Sequence, residues 1–268
     1  MRRIFRGRSA GLRARRGAPQ ILTASVIACG VLLSGCSSSE PEASSAPPAP
    51  QASQVESQAE AVSHLENLSE GSSLVATATG AEVSVFKKPG GKNGKSLASP
   101  IESGGPLTFL VTDEQDEWLK VHLPTRPNGS TGWISRDEVQ LSTSPYRLVV
   151  SMRKHQLQVL KNGQSIGEHE VGVGKAATPT PPGEYYLTEL IQPNNADGAY
   201  GPYAFGISGH SDTLQKFAGG PGQLGLHGTN QPDKLGSDVS HGCLRLANEV
   251  ITELAETLPL GTPIEIQA

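Results

Sequence analysis

Two short stretches near the C-terminus decide the reading: Leu226-His227-Gly228-Thr229-Asn230 and Ser240-His241-Gly242-Cys243-Leu244-Arg245-Leu246. Each sets a reactive side chain beside a glycine, where the chain can turn sharply. Fifteen residues lie between His227 and Cys243. A cysteine attacks as its thiolate, so it needs a neighbour that takes the proton and returns it to a leaving amine. An imidazole does this once a third group, often a backbone carbonyl, fixes its tautomer. Backbone N–H groups of a tight turn can then hold an oxyanion without reorganising. Every part is present: Cys243 as nucleophile, His227 as base, and Gly242 leading into the Cys243 amide. Two other arrangements use the same residues. His241 could replace His227 as the base, because positions 241 and 243 of an extended turn project to similar sides. His227, His241 and Cys243 could also bind zinc, although no fourth ligand is evident. His64, His122, His155, His169 and His210 stand in tether, strands or loops and read as ordinary surface or packing residues.

The cysteine count supports a reactive Cys243. The chain of 268 residues has three cysteines, Cys29, Cys36 and Cys243. Seven arginines between Arg2 and Arg16 precede a mostly apolar run, Ile21 to Leu33, that is short for a membrane span and ends in small residues. The run closes on Leu33-Ser34-Gly35-Cys36, which resembles a bacterial lipobox. That resemblance implies cleavage of residues 1–35 as a signal peptide by general secretion, and a lipid on Cys36. Cys29 leaves with the leader, so Cys243 is expected to be the one free thiol of an exported, membrane-anchored protein. Outside the cell an idle thiol is a liability. The polar, glycine-rich surroundings of Cys243 do not suit a core position. Loss of the leader takes the 22 basic residues to 15 against 26 acidic, a net charge of −11. Such a chain is a poor polyanion binder, which argues against nucleic acid as a partner.

Residues 36–72 read as a tether. Its first part is Ser, Ala, Pro, Glu and Gln without large apolar residues, too little to offset chain entropy. Apolar residues at 55, 59, 62, 65 and 68 allow a short helix. Residues 73–142 show period-two alternation between turns: Val83 and Val85, then Leu107, Phe109 and Val111, then Leu119, Val121 and Leu123. Lys88-Pro89-Gly90-Gly91 and Pro127-Asn128-Gly129 punctuate the strands. The order resembles bacterial SH3-like domains: a Lys-Pro turn, a Trp-Leu-Lys-Val strand and a closing Gly132-Trp133-Ile134. Such modules often bind cell-wall peptide or pack on a catalytic domain.

Residues 145–268 form a second β-rich unit. Leu148, Val150 and Met152 alternate, and Asn162-Gly163 signals a hairpin. Thr178-Pro179-Thr180-Pro181-Pro182-Gly183 is a rigid turn. Residues 192–222 are rich in Gly, Pro, Asn and Asp, as binding loops are. Asn248 is a plausible N-cap for a helix over Glu249–Leu258, with Val250, Ile251, Leu254 and Leu258 as its apolar stripe. Pro263 to Ile266 reads as a last strand. The chain is therefore expected to be mainly β: a small SH3-like barrel followed by a second β-rich unit with one short helix.

The segment from His227 through Ser240-His241-Gly242-Cys243 resembles the signature of the L,D-transpeptidase catalytic domain. Gly172-Val173-Gly174-Lys175, the 178–183 turn, Gly201-Pro202-Tyr203 and Pro259-Leu260-Gly261-Thr262-Pro263 extend the likeness over nearly all of 146–268. The resemblance implies that the second unit is a β-sandwich of mixed sheets, and that the protein is a cysteine acyltransferase without cofactor or metal, acting on peptidoglycan stem peptides. Cys243 would attack the third-residue carbonyl of a tetrapeptide, release D-alanine and form a thioester. An amine on a neighbouring stem would resolve it to a 3→3 cross-link. His227 would be the base, and Gly228 the carbonyl that orients it. Ser240, His241 and Gly242 would shape the turn and oxyanion hole. Arg245 would hold the loop or meet a carboxylate, and Tyr203 would cover the donor site. The alternatives are an L,D-carboxypeptidase with water as acceptor, and a non-catalytic wall-binding lipoprotein.

Overall fold

The structure, a computed structural model, describes residues 63–217 and 219–268. The leader, Cys36 and the tether before residue 63 fall outside these. The protein is mainly β, with one α-helix among the described residues.

The first module holds β1 (Ser73–Ala78), β2 (Glu82–Val85), β3 (Lys95–Ala98), β4 (Thr108–Gln115), β5 (Trp118–His122), β6 (Thr131–Ser135) and β7 (Val139–Ser144). Five of these strands form an antiparallel sheet in the order β6-β5-β4-β1-β7, and β2 pairs with β3 as a separate hairpin. The alternation in the sequence is the cause of the core. Val83, Phe109, Leu119, Val121 and Ile134 all lie fully buried in one cluster because every second side chain of a strand faces the same way. Residues 63–72, read as tether, pack here instead. Leu65 and Leu68 lie against this cluster. The Leu65 N–H donates to Glu114 Oε2 at 2.8 Å, and Arg136 pairs with Glu114 at 2.7 Å. A turn, not the expected helix, spans the described part of that stripe.

The second module holds β8 (Tyr146–Ser151), β9 (Gln156–Lys161), β10 (Gln164–Glu170), β11 (Val173–Gly174), β12 (Gly183–Ile191), β13 (Ala204–His210), β14 (Gln223–His227), β15 (Asp238–Ser240), β16 (Leu244–Arg245), α1 (Asn248–Thr257) and β17 (Pro263–Gln267). Its main sheet runs β10-β9-β8-β17-β12-β13-β14-β16, and β11 pairs with β15 apart from it. The sheet is mixed: β17 is parallel to β8, and β14 is parallel to β16. Asn162 and Gly163 both take positive φ, 49° and 75°, as the tight hairpin turn requires. The stripe of α1 is buried at Ile251, Leu254 and Leu258. Asn248 does not cap it. The cap position is Ala247, and Asn248 is the first helical residue. Its side chain is engaged elsewhere, in the loop that carries His227.

Candidate active site

The two halves of the expected pair sit on adjacent parallel strands. His227 ends β14, Cys243 immediately precedes β16, and Leu226 lies opposite Leu244. Both residues line a cleft of about 410 Å³ with Tyr200, Phe217, Leu224 and Gly225. A methyl group built on Gly225 would lie 3.8 Å from Cys243 Sγ and 3.8 Å from His227 Cδ2. Sulfur and imidazole edge therefore share the space that this glycine leaves open.

His227 is buried, with a relative exposure of 4%. Its Nδ1 lies 2.6 Å from the Gly228 carbonyl oxygen. A carbonyl only accepts, so the proton sits on Nδ1 and Nε2 is bare. Burial pushes His227 down to about 4, the Gly228 carbonyl works against that shift, and the Arg245 charge adds to it. Burial also raises the Cys243 thiol, opposed by a hydrogen bond from the Gly225 backbone and by Arg245. Both shifts run toward the uncharged forms, thiol and neutral imidazole, and away from an ion pair.

The loop after His227 is held from α1. Asn248 Oδ1 accepts the Thr229 N–H at 2.8 Å. The chain is closely packed there: a Cβ on Gly228 would lie 2.4 Å from Asn248 Oδ1, and one on Gly201 would lie 2.6 Å from the Gly228 Cα. Only glycine fits at either place. The Gly228 N–H donates to the Tyr203 carbonyl at 3.2 Å.

The turn before Cys243 is fixed by side chains. Gly242 has φ +117°, which favours glycine. Ser240 Oγ donates to the Cys243 carbonyl and accepts the Gly242 N–H at 3.0 Å. The Gly242 N–H is thus already used. Thr180 Oγ1 donates to the Gly242 carbonyl and accepts the Gly174 N–H, both at 2.8 Å. Thr178 Oγ1 and the Lys175 N–H both donate to the Ser240 carbonyl, at 3.3 and 3.1 Å. A peptide unit is planar and trans. With the Gly242 carbonyl turned to Thr180, the Cys243 N–H of the same unit points the opposite way. Thr178 and Thr180 were visible in the sequence only as parts of a proline-rich turn.

His241 is exposed, stacks on Phe217 with ring centres 5.4 Å apart, and has Nε2 3.4 Å from Lys175 Nζ. His227, not His241, shares the space over Gly225 with the sulfur. Among the described residues no group of three or more His, Cys, Asp or Glu is placed to hold a metal ion. Arg245 lies opposite His227 in the strand register and exchanges backbone hydrogen bonds with Gly172 at 2.9 Å. Its buried Nε has no hydrogen-bond partner among the described residues. Tyr203 does not cover the cleft: its ring is partly buried against the hydrophobic core. The tyrosine at the site is Tyr200, whose ring centre is 4.7 Å from that of His227. The two tyrosines flank Gly201-Pro202, and only the backbone path of that turn decides which one faces the cleft.

The family model described as the L,D-transpeptidase catalytic domain, YkuD, matches residues 145–266. The chain is 33% identical to the Bacillus subtilis (strain 168) protein that bears the L,D-transpeptidase name YkuD, over 63% of this chain and 98% of that protein. A Bacillus licheniformis protein of the same name is 34% identical over 46% of this chain and 67% of its own length. The crystal structure of L,D-transpeptidase 3 from Mycobacterium tuberculosis is 18% identical, with a TM-score of 0.39, over 52% of this chain and 74% of that one.

Proposed function

Because the chain belongs to the L,D-transpeptidase family, acyltransferases of peptidoglycan peptides, we propose that it forms 3→3 cross-links through a thioester on Cys243. The observation that carries this reading is the His227 Nδ1 contact to Gly228, which leaves Nε2 bare on a ring whose Cδ2 edge shares the space over Gly225 with the sulfur. In the first half-reaction the thiol proton passes to His227 Nε2 as sulfur attacks the third-residue carbonyl of a tetrapeptide donor. The oxyanion is met by the Cys243 N–H. The bond to D-alanine breaks, and His227 returns the proton to the departing amine. In the second half-reaction an amine on another stem attacks the thioester. It gives its proton to His227, which passes it to the departing sulfur. Losing an oxyanion donor of this kind costs about 2.7–4 kcal/mol of transition-state stabilisation.

The remaining proposals concern place. The lipobox-like Cys36 and the tether put the enzyme on a membrane facing the wall. The module of residues 73–142 is read as SH3-like and as a contact to wall peptide or to the catalytic module.

Intact-mass analysis with a carbapenem tests the nucleophile. One adduct is expected on the wild type and none on Cys243→Ala. An equal adduct on both would refute it. Incubation with tetrapeptide-bearing muropeptides then separates acceptors: cross-linked dimers are expected, whereas trimmed monomers alone would assign water as the acceptor. A Cys243→Ala protein that still complements a deletion would favour a non-catalytic wall-binding role.

A further inference from the structure

The floor of the cleft is a row of residues across four neighbouring strands. Glu189 on β12 lies opposite Gly206 on β13, and Gly206 lies opposite Gly225 on β14. Gly225 adjoins Cys243, the residue immediately before β16. The two middle positions carry no side chains of their own, although the Gln223 amide also reaches over Gly206, 2.8 Å from where a methyl group there would lie. The next row is different: Ile191, Ala204 and His227 succeed one another there. A methyl group on Gly206 would lie 2.6 Å from Glu189 Oε1, so the carboxylate leans over that glycine toward the sulfur. Among the described residues no salt bridge engages Glu189. The nearby Gln223 amide does not serve it, since its Nε2 donates to Thr188 Oγ1 at 3.0 Å and the Ile207 carbonyl at 3.1 Å. Glu189 lines the cleft that holds Cys243.

Resting on the acyl-transfer reading above, we propose that Glu189 is a specificity-determining residue that receives a terminal ammonium on the side chain of the donor's third residue. Distance supports the assignment. Adjacent side-chain positions on paired strands are about 4.5–5.5 Å apart. Added to the two glycine contacts, this puts carboxylate and sulfur within roughly 12 Å. At attack the carbonyl carbon sits about 3–3.5 Å from sulfur. The side chain of a diamino acid carries its ammonium six bonds beyond that carbon, roughly 7–8 Å when extended. The remainder is one charge-assisted hydrogen bond. Glycines at 206 and 225 put no side chain of their own beneath the methylene chain, which would pass beside the Gln223 amide.

The test uses the full-length protein and Glu189→Gln, which keeps shape and removes charge. Acylation is measured with tetrapeptide donors carrying lysine or norleucine at the third position, and with a second pair carrying diaminopimelate or 2-aminopimelate. The wild type should prefer the ammonium-bearing member of the pair it uses by about tenfold to a hundredfold. Glu189→Gln should lose that preference by slowing on the ammonium donor alone. Carbapenem acylation should be the same in both proteins, as the sign of an intact fold and nucleophile. A wild type without preference, a preference that survives in Glu189→Gln, or an equal loss on both donors would overturn the assignment. Absence of any carbapenem adduct would instead overturn the cysteine reading on which it rests. Carbapenem adducts without turnover of either ammonium donor would leave the nucleophile standing and refute the role of Glu189.

Discussion

His227 shows how burial sets the working pH of a single side chain. Held down to about 4 from an ordinary 6.5, it is neutral throughout the range where a free imidazole would be taking up a proton. The carbapenem acylation rate is therefore expected to stay nearly flat from pH 7 to pH 5. A fall of about eightfold from pH 7 to pH 5.5 would mean an ordinary imidazole. Stability follows the same group. Between these two values the unfolded chain binds a proton that the folded chain refuses, so stability present above 6.5 is lost as pH falls toward 4. The loss approaches roughly 3 kcal/mol, and urea unfolding at pH 7 and 4.5, with His227→Gln as control, reads it. Thr180 acts by direction instead of charge. Thr180→Val leaves the Gly174 N–H and the Gly242 carbonyl unpaired where they are buried, at about 1–3 kcal/mol each. It also frees the peptide that aims the Cys243 N–H. A lower Tm with acylation slowed about tenfold or more is expected, with most of the rate restored in Thr180→Ser. His227 and Cys243 were legible in the sequence because their chemistry is rare and their glycines are conspicuous. Thr180 and Glu189 were not, because their relevance depends on which strands become neighbours.

One stretch that lines the cleft is braced from the other module. The loop between β5 and β6 sends Arg126 to the carbonyls of Ser211, Leu214 and Pro221 at 2.7, 3.0 and 3.1 Å. Two residues on, Asn128 exchanges hydrogen bonds with the His210 backbone at 2.7 and 2.8 Å. The stretch after β13 so fixed includes Phe217, which stacks on His241 and lines the cleft. Arg126→Ala removes the three bonds without touching the nucleophile. A raised KM for the tetrapeptide donor, several-fold or more, is expected while alkylation of Cys243 by iodoacetamide keeps its rate. An unchanged KM would show that Phe217 keeps its place without Arg126. From the sequence, residues 192–222 read as a binding loop and Asn128 only as part of a turn. Composition marks a loop, but the side chain that braces it sits about 85 residues away in the chain.

At the scale of the whole molecule, period-two patterning made both sheets legible, and it explains why the seam between them was not. On β1, Leu74 and Ala76 face the first core while Val75 faces the other way, yet Val75 is also buried, at 2% exposure. It meets the second module at Gly261, where an added Cβ would lie 2.4 Å from it. Leu110 and Tyr186 are likewise buried outside both core clusters. The Tyr186 hydroxyl donates to the His122 carbonyl at 3.4 Å, and Ser144 and Thr262 hydroxyls meet at 2.9 Å. Alternation predicts an outward residue at such positions, and only the neighbouring module turns outward into buried. Calorimetry of the full chain should accordingly show one transition, with equal calorimetric and van't Hoff enthalpies, whereas two separated peaks would mean independent modules. The seam also bears on how the protein can be handled in the laboratory. A fragment trimmed to the 145–268 boundary would carry an uncovered Tyr186 and a vacant notch at Gly261. A piece suited to crystallisation or inhibitor screening therefore keeps both modules, and a screen run on less would be reporting on a wounded surface.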